Sequence, residues 1–256
     1  MRKSVHLVLQ GKGGVGKSLI ARLLVEYMIH TKTSHASFDA DPVNQSLCAV
    51  DAFGAKAVKL LDPNGDISAR SFDTMMGDLL QASEEAIIVD SGASAFLPLM
   101  GYIEASGAIE ALLEEDCEVF IHTVVTAGAA FDDTMKGFAQ IAKRFGDTCN
   151  VVVWTNPFFG DLEQNGTKFI ETEAVQALIE QNLIIGHVPM PVLHRLNQED
   201  FEQFLAQNIP FSEATAKENA ELNTMVRRRL IKLHTDLMAA IGDILSDSED
   251  ASTDAA

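Results

Sequence analysis

One octet near the start of the chain constrains its fold more than any other feature. It consists of eight consecutive residues: Gly11, Lys12, Gly13, Gly14, Val15, Gly16, Lys17 and Ser18. An apolar run, residues 5–9, precedes it, and a helical pattern, residues 19–30, follows it. Glycines at these offsets let the backbone curl so that successive N–H groups point inward, and the next helix adds the positive end of its dipole. The octet therefore predicts a phosphate-binding loop between a strand and a helix.

Two side chains at the end of the octet carry the chemistry of this prediction. Lys17 is expected to reach the β- and γ-phosphates of a nucleoside triphosphate, and the Ser18 hydroxyl is expected to ligate Mg²⁺. The alternative is a glycine-rich turn that binds no ligand. Two lysines, four glycines and a serine at these offsets favour the phosphate-binding loop.

Lys12 lies early in the loop, at a position where most phosphate-binding loops accept almost any residue. With Lys12, the octet resembles the deviant Walker A motif of the ParA/MinD family of P-loop ATPases. The resemblance implies that Lys12 reaches across a dimer interface to the nucleotide of the partner subunit. A second cation near the β/γ bridge stabilises charge that develops on the phosphoryl group. The alternative for Lys12 is a solvated loop lysine.

Two aspartates follow the second strand-like run. Asp39 and Asp41 are two positions apart on an extended segment, so their side chains point the same way, and Pro42 ends regular pairing. Near a Mg²⁺-nucleotide they are expected to hold waters of the metal and to orient the attacking water. Residues 38–44 resemble the first switch segment of the family, which implies that Asp41 positions the hydrolytic water. Asn44 stands one place earlier than in the family pattern, and an ordinary Asp-Pro turn is the alternative.

A third aspartate, Asp90, caps the buried run of residues 86–89. Such a strand end lies at the carboxyl edge of the sheet, where doubly wound folds bind their ligands. The Asp90 carboxylate is expected to hold the metal through water, opposite Ser18, and residues 91–94 are expected to sense the γ-phosphate. An ordinary turn after the strand is the alternative.

Two later segments suggest recognition of a base. Residues 151–154 form a strand-like run that ends near Asn156, and an Asn amide pairs with an adenine edge through its donor and its acceptor. Residues 183–191 form another strand that leads into a proline-containing loop. Both segments resemble those that surround the base in ParA/MinD proteins, which implies that Asn156 contacts the nucleotide. Plain strand-end turns are the alternative.

Strand-like runs and helical patterns alternate along the chain. The strand-like runs are residues 5–9, 36–38, 86–89, 119–125, 151–154 and 183–188, and the helical patterns are residues 19–30, 72–81, 103–113, 134–145 and 171–181. The alternation predicts a doubly wound α/β fold with a mostly parallel sheet and helices on both faces, which with the octet is a P-loop NTPase. Residues 51–71 are expected to hold an inserted hairpin, and residues 197–208 and 212–245 are expected to form C-terminal helices.

Composition bounds the domain and the compartment. A chain of 256 residues with 47% apolar residues is expected to form one domain over residues 1–245, followed by an acidic, disordered tail over residues 246–256. No run of eighteen apolar residues and no signal peptide is present, so we expect no integral membrane segment. Three widely spaced cysteines, Cys48, Cys117 and Cys149, are typical of reduced thiols in a cytoplasmic protein.

The net charge of −18 opposes binding to nucleic acid or anionic membrane at long range. The densest basic cluster lies on a predicted C-terminal helix and comprises Arg227, Arg228 and Arg229. A solvated helix face is the favoured interpretation, and a DNA-contacting patch is the alternative.

Several phrases resemble the TraL-type conjugal transfer proteins of mobilisable plasmids, a branch of the ParA/MinD family. They are residues 8–18, 41–44, 92–94, 121–126 and 153–157. The resemblance implies an accessory ATPase of plasmid transfer, with ATP and Mg²⁺ as cofactors, slow hydrolysis, an ATP-dependent homodimer and partners in the conjugation machinery. Three other functions stay open: a DNA-partitioning ATPase, an interaction module in which bound nucleotide is structural, and a biosynthetic ATPase such as an amidoligase.

Overall fold

A seven-stranded parallel sheet forms the centre of the structure, a computed structural model that describes residues 2–164, 166–193, 195–217, 219 and 222–253. The strands in these residues are β1 (Lys3–Val8), β2 (His35–Ala40), β3 (Lys56–Ala57), β4 (Ala86–Ser91), β5 (Cys117–Thr126), β6 (Asn150–Asn156), β7 (Glu163–Gln164), β8 (Thr167–Lys168) and β9 (Gly186–Pro189). The helices are α1 (Lys17–Thr31), α2 (Ala69–Gln81), α3 (Phe96–Ser106), α4 (Ala108–Glu114), α5 (Phe131–Phe145), α6 (Glu173–Glu180), α7 (Arg195–Ala206), α8 (Phe211–Ala214) and α9 (Thr224–Thr253).

The strand order of the sheet is β3-β2-β4-β1-β5-β6-β9, and each neighbouring pair is parallel. The short strands β7 and β8 form a separate antiparallel pair. Strands β2, β3 and β4 lie on one side of β1, and β5, β6 and β9 lie on the other side. The loop after β1 therefore lies at the point where the strand order reverses, which is where doubly wound folds bind ligands. The predicted α/β fold is confirmed.

Alternating side chains of the sheet feed two separate cores. On β4, Ile87 and Val89 pack with α2 to α6 on one face, whereas Ala86 and Ile88 pack with α1 and α7 to α9 on the other. Strands that are buried on both faces read as continuous apolar runs, which is the pattern that identifies them in the sequence. The helices therefore cover both faces of the sheet, as predicted.

Three elements differ from the predicted ones. The third helical pattern begins at Phe96 rather than at residue 103, and it is divided into α3 and α4 at Gly107. The expected hairpin in residues 51–71 reduces to one antiparallel bridge between Leu61 and Ile67, while β3 joins the main sheet as its edge strand. Helix α9 continues to Thr253, although we expected disorder from residue 246, because residues 246–253 contain no proline or glycine to stop the helix. Residues 254–256 lie outside the described residues.

No single helix in the described residues has the length and apolar composition that a membrane span requires. One bent pair, Ala93–Ser106 with Ala108–Glu114, meets both criteria only when its two parts are taken together across a bend of 58°.

A chain of hydrogen bonds crosses the core that contains α1. Trp154 Nε1 donates to Nδ1 of His122 at 3.0 Å, so the neutral His122 carries its proton on Nε2 and donates to Nδ1 of His6, also at 3.0 Å. His6 then donates from Nε2 to the Ser4 hydroxyl at 3.1 Å. Burial lowers the pKa of His6 to about 3, and it also lowers the pKa of His122. Both imidazoles are therefore neutral in the folded protein at physiological pH.

The buried imidazole of His6 predicts a loss of stability in mild acid. An unfolded histidine takes up a proton below about pH 6.5, and folded His6 does not until about pH 3, so its contribution to stability falls as the pH drops between these values. From pH 7.5 to 5.5 this loss is about 1.4 kcal/mol. Urea unfolding of wild type and His6→Phe at both pH values measures it, because the variant lacks this loss while other groups titrate alike in the two proteins. Equal pH-dependent changes in both proteins would contradict the assignment.

Candidate functional site

The loop after β1 is fixed at its start by a buried glutamine. Gln10 accepts a hydrogen bond from the Gly11 amide at 2.8 Å through Oε1. Its Nε2 donates to the carbonyl oxygens of Val124 at 2.8 Å and Thr134 at 3.1 Å, which belong to β5 and α5. The entry into the octet is therefore held by the neighbouring strand and helix. Gln10 was not among the predicted site residues. The signal that could have identified it is an amide side chain directly between an apolar strand and a glycine-rich loop, since a buried amide there needs hydrogen-bond partners.

The end of the octet requires a glycine at position 16. Gly16 has φ +111°, a conformation that side chains disfavour, and a Cβ atom there would lie 3.0 Å from Nδ2 of Asn156. The Asn156 Nδ2 donates to the Val15 carbonyl at 2.9 Å, so β6 contacts the loop directly. The curled loop then leads into α1, whose first residue is Lys17.

Lys17 turns back over the loop that precedes it. Its ammonium group donates to the carbonyl of Lys12 at 2.9 Å, and the side chain is buried. Burial lowers the pKa of Lys17, while the nearby carboxylates of Asp90 and Asp41 oppose this shift. The structure therefore brings Lys17, Asp41 and Asp90 together, as the sequence predicts for the two switch segments and the loop.

Asp90 carries a buried carboxylate that no described residue satisfies with a hydrogen bond of normal geometry. It is fully buried at the end of β4, and among the described residues no donor reaches either oxygen with normal hydrogen-bond geometry. Burial raises the pKa of Asp90 to about 7, and the nearby Ser18 hydroxyl and Lys17 ammonium oppose the rise. An unpaired buried carboxylate is costly, so its position beside Ser18 is what a site for a cation with oxygen ligands requires.

Asp39 has another role from the one the sequence suggests. It is paired in register with Asp90, but its carboxylate accepts three backbone amides, those of Asp41, Leu47 and Cys48, at 2.9–3.2 Å. Burial raises the pKa of Asp39, and these hydrogen bonds oppose the rise. Asp39 therefore organises the loop of residues 41–48, and its expected part in holding the metal stays a prediction.

Asp41 lies at the wall of a cavity beside the octet. One oxygen, Oδ1, accepts the amides of Val43 and Asn44 at 2.8 and 3.0 Å, so the aspartate fixes its own turn. A Cβ atom on Gly92 would lie 2.8 Å from Asp41 Cγ, which explains the glycine after β4. The cavity has a volume of about 520 Å³, and Lys17, Ser18, Asp41, Asn44 and Ser94 are among the residues that line it. The two predicted switch segments thus meet at the loop.

Lys12 is paired within its own subunit. Its ammonium group lies 2.9 Å from Oδ2 of Asp133 on α5, and both side chains are about half exposed. The Lys12 ammonium holds the pKa of Asp133 below its usual range. Asp133 stands 121 positions further along the chain and belongs to no motif, so this ion pair could not be predicted from local sequence patterns.

Asn156 uses both ends of its amide inside the protein. Besides the bond from Nδ2 to Val15, its Oδ1 accepts the Phe158 amide at 3.1 Å. These contacts differ from the base recognition that we expected, because a strand-end asparagine also serves as a clamp for the loop. An apolar cavity of about 230 Å³ opens beside Asn156, between α1, α7, α9 and the loops after β6 and β9. Base recognition by Asn156 stays a prediction.

The three consecutive arginines of α9 do not form one basic surface. Arg227 donates to the carbonyl of Asn219 at 2.6 Å, and Arg229 forms an ion pair with Asp200 on α7. Only Arg228 is exposed. Successive helical residues point about 100° apart, so adjacent arginines face different surroundings. Arg227 and Arg229 attach α9 to neighbouring segments. The favoured interpretation of a solvated face therefore holds for Arg228 and not for the whole cluster.

The parallel sheet and the loop between its central strand and α1 define a P-loop NTPase fold. Two relatives, both called Protein TraL and both from Escherichia coli, match nearly the whole chain. One is 36% identical over 239 residues, which are 93% of this chain and 96% of the relative. The other is 34% identical over 230 residues, which are 89% of this chain and 93% of the relative. The chain therefore belongs to the TraL family.

Solved structures that are similar to this one are more distant in sequence. The MinD cell division protein of Aquifex aeolicus is 13% identical, with a TM-score of 0.48, over 92% of this chain and 97% of that one. No protein-family model matches the chain.

Two isosteric substitutions distinguish the unpaired aspartate from the paired one. In protein free of nucleotide and metal, Asp90→Asn is expected to raise the free energy of unfolding at pH 8, because it removes a buried charge. The pKa of Asp90 is raised to about 7, so its carboxyl is protonated in the folded protein at pH 5.5 and ionised at pH 8. Wild type loses this stabilisation as the pH rises through about 7, and Asp90→Asn does not. The increase in the free energy of unfolding caused by Asp90→Asn should therefore be about 2 kcal/mol larger at pH 8 than at pH 5.5.

Asp39→Asn serves as the matched control in the same urea titrations with a chelator. It weakens an acceptor of three amides, so we expect it to lower the free energy of unfolding by about 1–3 kcal/mol. Destabilisation of the Asp90→Asn protein at pH 8 would contradict the unpaired state of that carboxylate.

Proposed function

We propose that this protein is a Mg²⁺-dependent ATPase whose ATP-bound form dimerises, and that it acts as an accessory protein in plasmid conjugal transfer in the bacterial cytoplasm. The observation that carries the proposal is the unpaired, buried carboxylate of Asp90 beside Ser18 and Lys17 at the end of the octet. Membership of the TraL family supports the role in plasmid transfer.

The residues around the loop fit a triphosphate and its metal. The backbone amides of residues 11–18 provide the phosphate cradle, and Lys17 supplies a cation once its ammonium leaves the Lys12 carbonyl. Ser18 and Asp90 are the residues that would hold Mg²⁺, directly and through water respectively. Bound there, the metal would neutralise charge on the β- and γ-oxygens. A cation would also relieve the burial cost of Asp90, which couples metal binding to the stability of the site.

Asp41 is placed to act on water rather than on the phosphates. Its Oδ1 is occupied by two amides of its own turn, while Oδ2 accepts no hydrogen bond from the described residues. That oxygen can accept a hydrogen bond from a water molecule in the cavity of about 520 Å³ beside the octet. We therefore assign to Asp41 the orientation of the hydrolytic water, and to Asp39 the support of the loop that carries it.

The apolar cavity beside Asn156 is the proposed place for the base. It begins at Leu19 on α1, directly after the octet, and Asn156, Pro157 and Met190 are also among the residues that line it. A flat apolar ring with polar edges suits a cavity that is apolar apart from a few amide and carboxylate groups. The remaining hydrogen of Asn156 Nδ2 and the remaining lone pair of Oδ1 leave the amide able to contact a base edge.

Lys12 is the proposed link between ATP and dimerisation. In the structure it is paired with Asp133, and an exposed pair of this kind contributes little and is easily exchanged. A triphosphate on the partner subunit offers Lys12 several negative oxygens in place of one carboxylate. We propose that Lys12 leaves Asp133 when two ATP-bound subunits meet face to face.

Substitutions of Lys17 and Asp41 should affect ATP binding and ATP hydrolysis differently. We expect slow phosphate release from ATP with Mg²⁺, absent in Lys17→Ala, which also abolishes the ATP-dependent rise in melting temperature. Asp41→Asn keeps an acceptor for the Val43 and Asn44 amides, so it should retain binding and lose hydrolysis by about 10²-fold. If nucleotide stabilises the wild type but no phosphate is released above the Lys17→Ala background, bound nucleotide is structural and the protein is an interaction module.

Dimerisation tests the exchange of Lys12. Light scattering with ATP and Mg²⁺ should give a dimer for wild type, and a monomer with ADP or for Lys12→Ala. Asp133→Asn frees Lys12 and should strengthen the ATP-dependent dimer by about two- to five-fold. Asp132→Asn is the matched control, because it removes the same charge from an exposed neighbour on α5. A monomer under every condition, or equal strengthening by both aspartate substitutions, would overturn this part of the proposal.

A further inference from the structure

A groove at the edge of the sheet gathers three cations in a strongly acidic protein. Lys56, Lys59 and Arg70 line one cavity of about 400 Å³ between β3 and α2. All three are exposed, and within the described residues none lies within 4.0 Å of a carboxylate. Asp78 is the single acidic residue among those that line the groove. The groove is therefore locally positive although the whole chain carries a net charge of −18.

The outer edge of β3 is free to pair with another strand. β3 is the last strand of the sheet, and its register pairs Ala57 with Asp39. The Val58 amide donates to the Asp39 carbonyl at 2.8 Å, so the alternation of a parallel ladder turns the N–H and C=O of Ala57 away from β2. Both residues of β3 are exposed. Within the described part of the chain, this donor and this acceptor beside the cationic groove have no hydrogen-bond partner.

The floor of the groove is apolar. Half-buried Val58 lines it together with Phe38 and Met75, which are buried in the core, and the Lys56 ammonium lies 5.6 Å from the centre of the Phe38 ring. One face of α2 forms the other wall, with the hydroxyl groups of Ser71 and Thr74. The groove therefore combines a strand edge, an apolar floor and positive walls.

We propose that this groove, which is separate from the octet, binds an extended acidic segment of a partner protein as an additional strand beside β3. Main-chain bonds to Ala57 would supply the pairing, carboxylates at alternate positions would meet Lys56, Lys59 and Arg70, and apolar side chains would rest on the half-buried Val58. Lysines on an edge strand commonly prevent self-association, because the positive charges of two such edges repel each other. An acidic segment carries the opposite charge and would be attracted to the same edge. The acidity of the whole chain disfavours a polyanion as dense as nucleic acid.

The test uses a fluorescently labelled seven-residue peptide in which valine alternates with aspartate. We expect saturable binding to the full chain by anisotropy in about 50 mM salt, weakening as salt rises because the contacts are ionic. The same peptide with asparagine in place of aspartate should bind at least tenfold more weakly. An oligonucleotide of equal charge that binds more tightly than the acidic peptide would overturn the proposal.

Two variants separate the cations from the strand edge. The triple variant Lys56→Glu, Lys59→Glu, Arg70→Glu should lose at least tenfold in affinity, whereas Lys143→Glu, Lys217→Glu, Arg228→Glu, with the same change in net charge at exposed sites elsewhere, should stay within about twofold. Ala57→Pro removes the outward N–H, which is not bonded to β2, and should also lose at least tenfold. Circular dichroism and thermal melting confirm that each variant is folded. Absence of binding to the wild type, equal losses in the two triple variants, or full binding by Ala57→Pro would overturn the proposal.

Discussion

Parallel pairing of β4 with β1 on one side and β2 on the other is the interaction on which the candidate site depends. The register places Asp90 opposite Val8, close to the start of the octet, and opposite Asp39 at the start of the first switch segment. A slip of one residue would turn the Asp90 carboxylate to the other face of the sheet and away from Ser18. The same pairing lies between two apolar cores, which fix it through alternating side chains. The chemistry at the sheet edge is thus set by packing in its interior.

The protein's own groups satisfy the charges of the site unequally. Asp39 is surrounded by backbone amides and stabilises its loop, whereas among the described residues no donor reaches the buried Asp90 with normal hydrogen-bond geometry, and Lys17 donates to a carbonyl. The two unsatisfied groups are those that the proposed metal and triphosphate would contact. Binding energy in this account comes partly from relief of the burial costs of these two groups. Lys12 at the surface is similar, because it pairs with Asp133 in the structure and would exchange this carboxylate for the triphosphate of the partner subunit.

Local patterns in the sequence were sufficient for the framework. The octet, the apolar strands and the aspartate at the end of β4 were predicted because each depends on neighbouring residues and on the period of the element that contains it. Long-range contacts were not predictable in this way. The Lys12–Asp133 pair joins positions 121 residues apart, and the double use of Asn156 depends on where the loop passes β6. The three arginines of α9 looked like one cluster because the sequence does not display the rotation of a helix.

The most direct test of the central claim is a crystal structure of the protein with a non-hydrolysable ATP analogue and Mg²⁺. We predict the triphosphate in the curl of residues 11–18, the Lys17 ammonium released from the Lys12 carbonyl and turned to the phosphates, and Mg²⁺ between the Ser18 hydroxyl and a water held by Asp90. A nucleotide bound elsewhere, or a metal shell that involves neither Ser18 nor Asp90, would contradict the account.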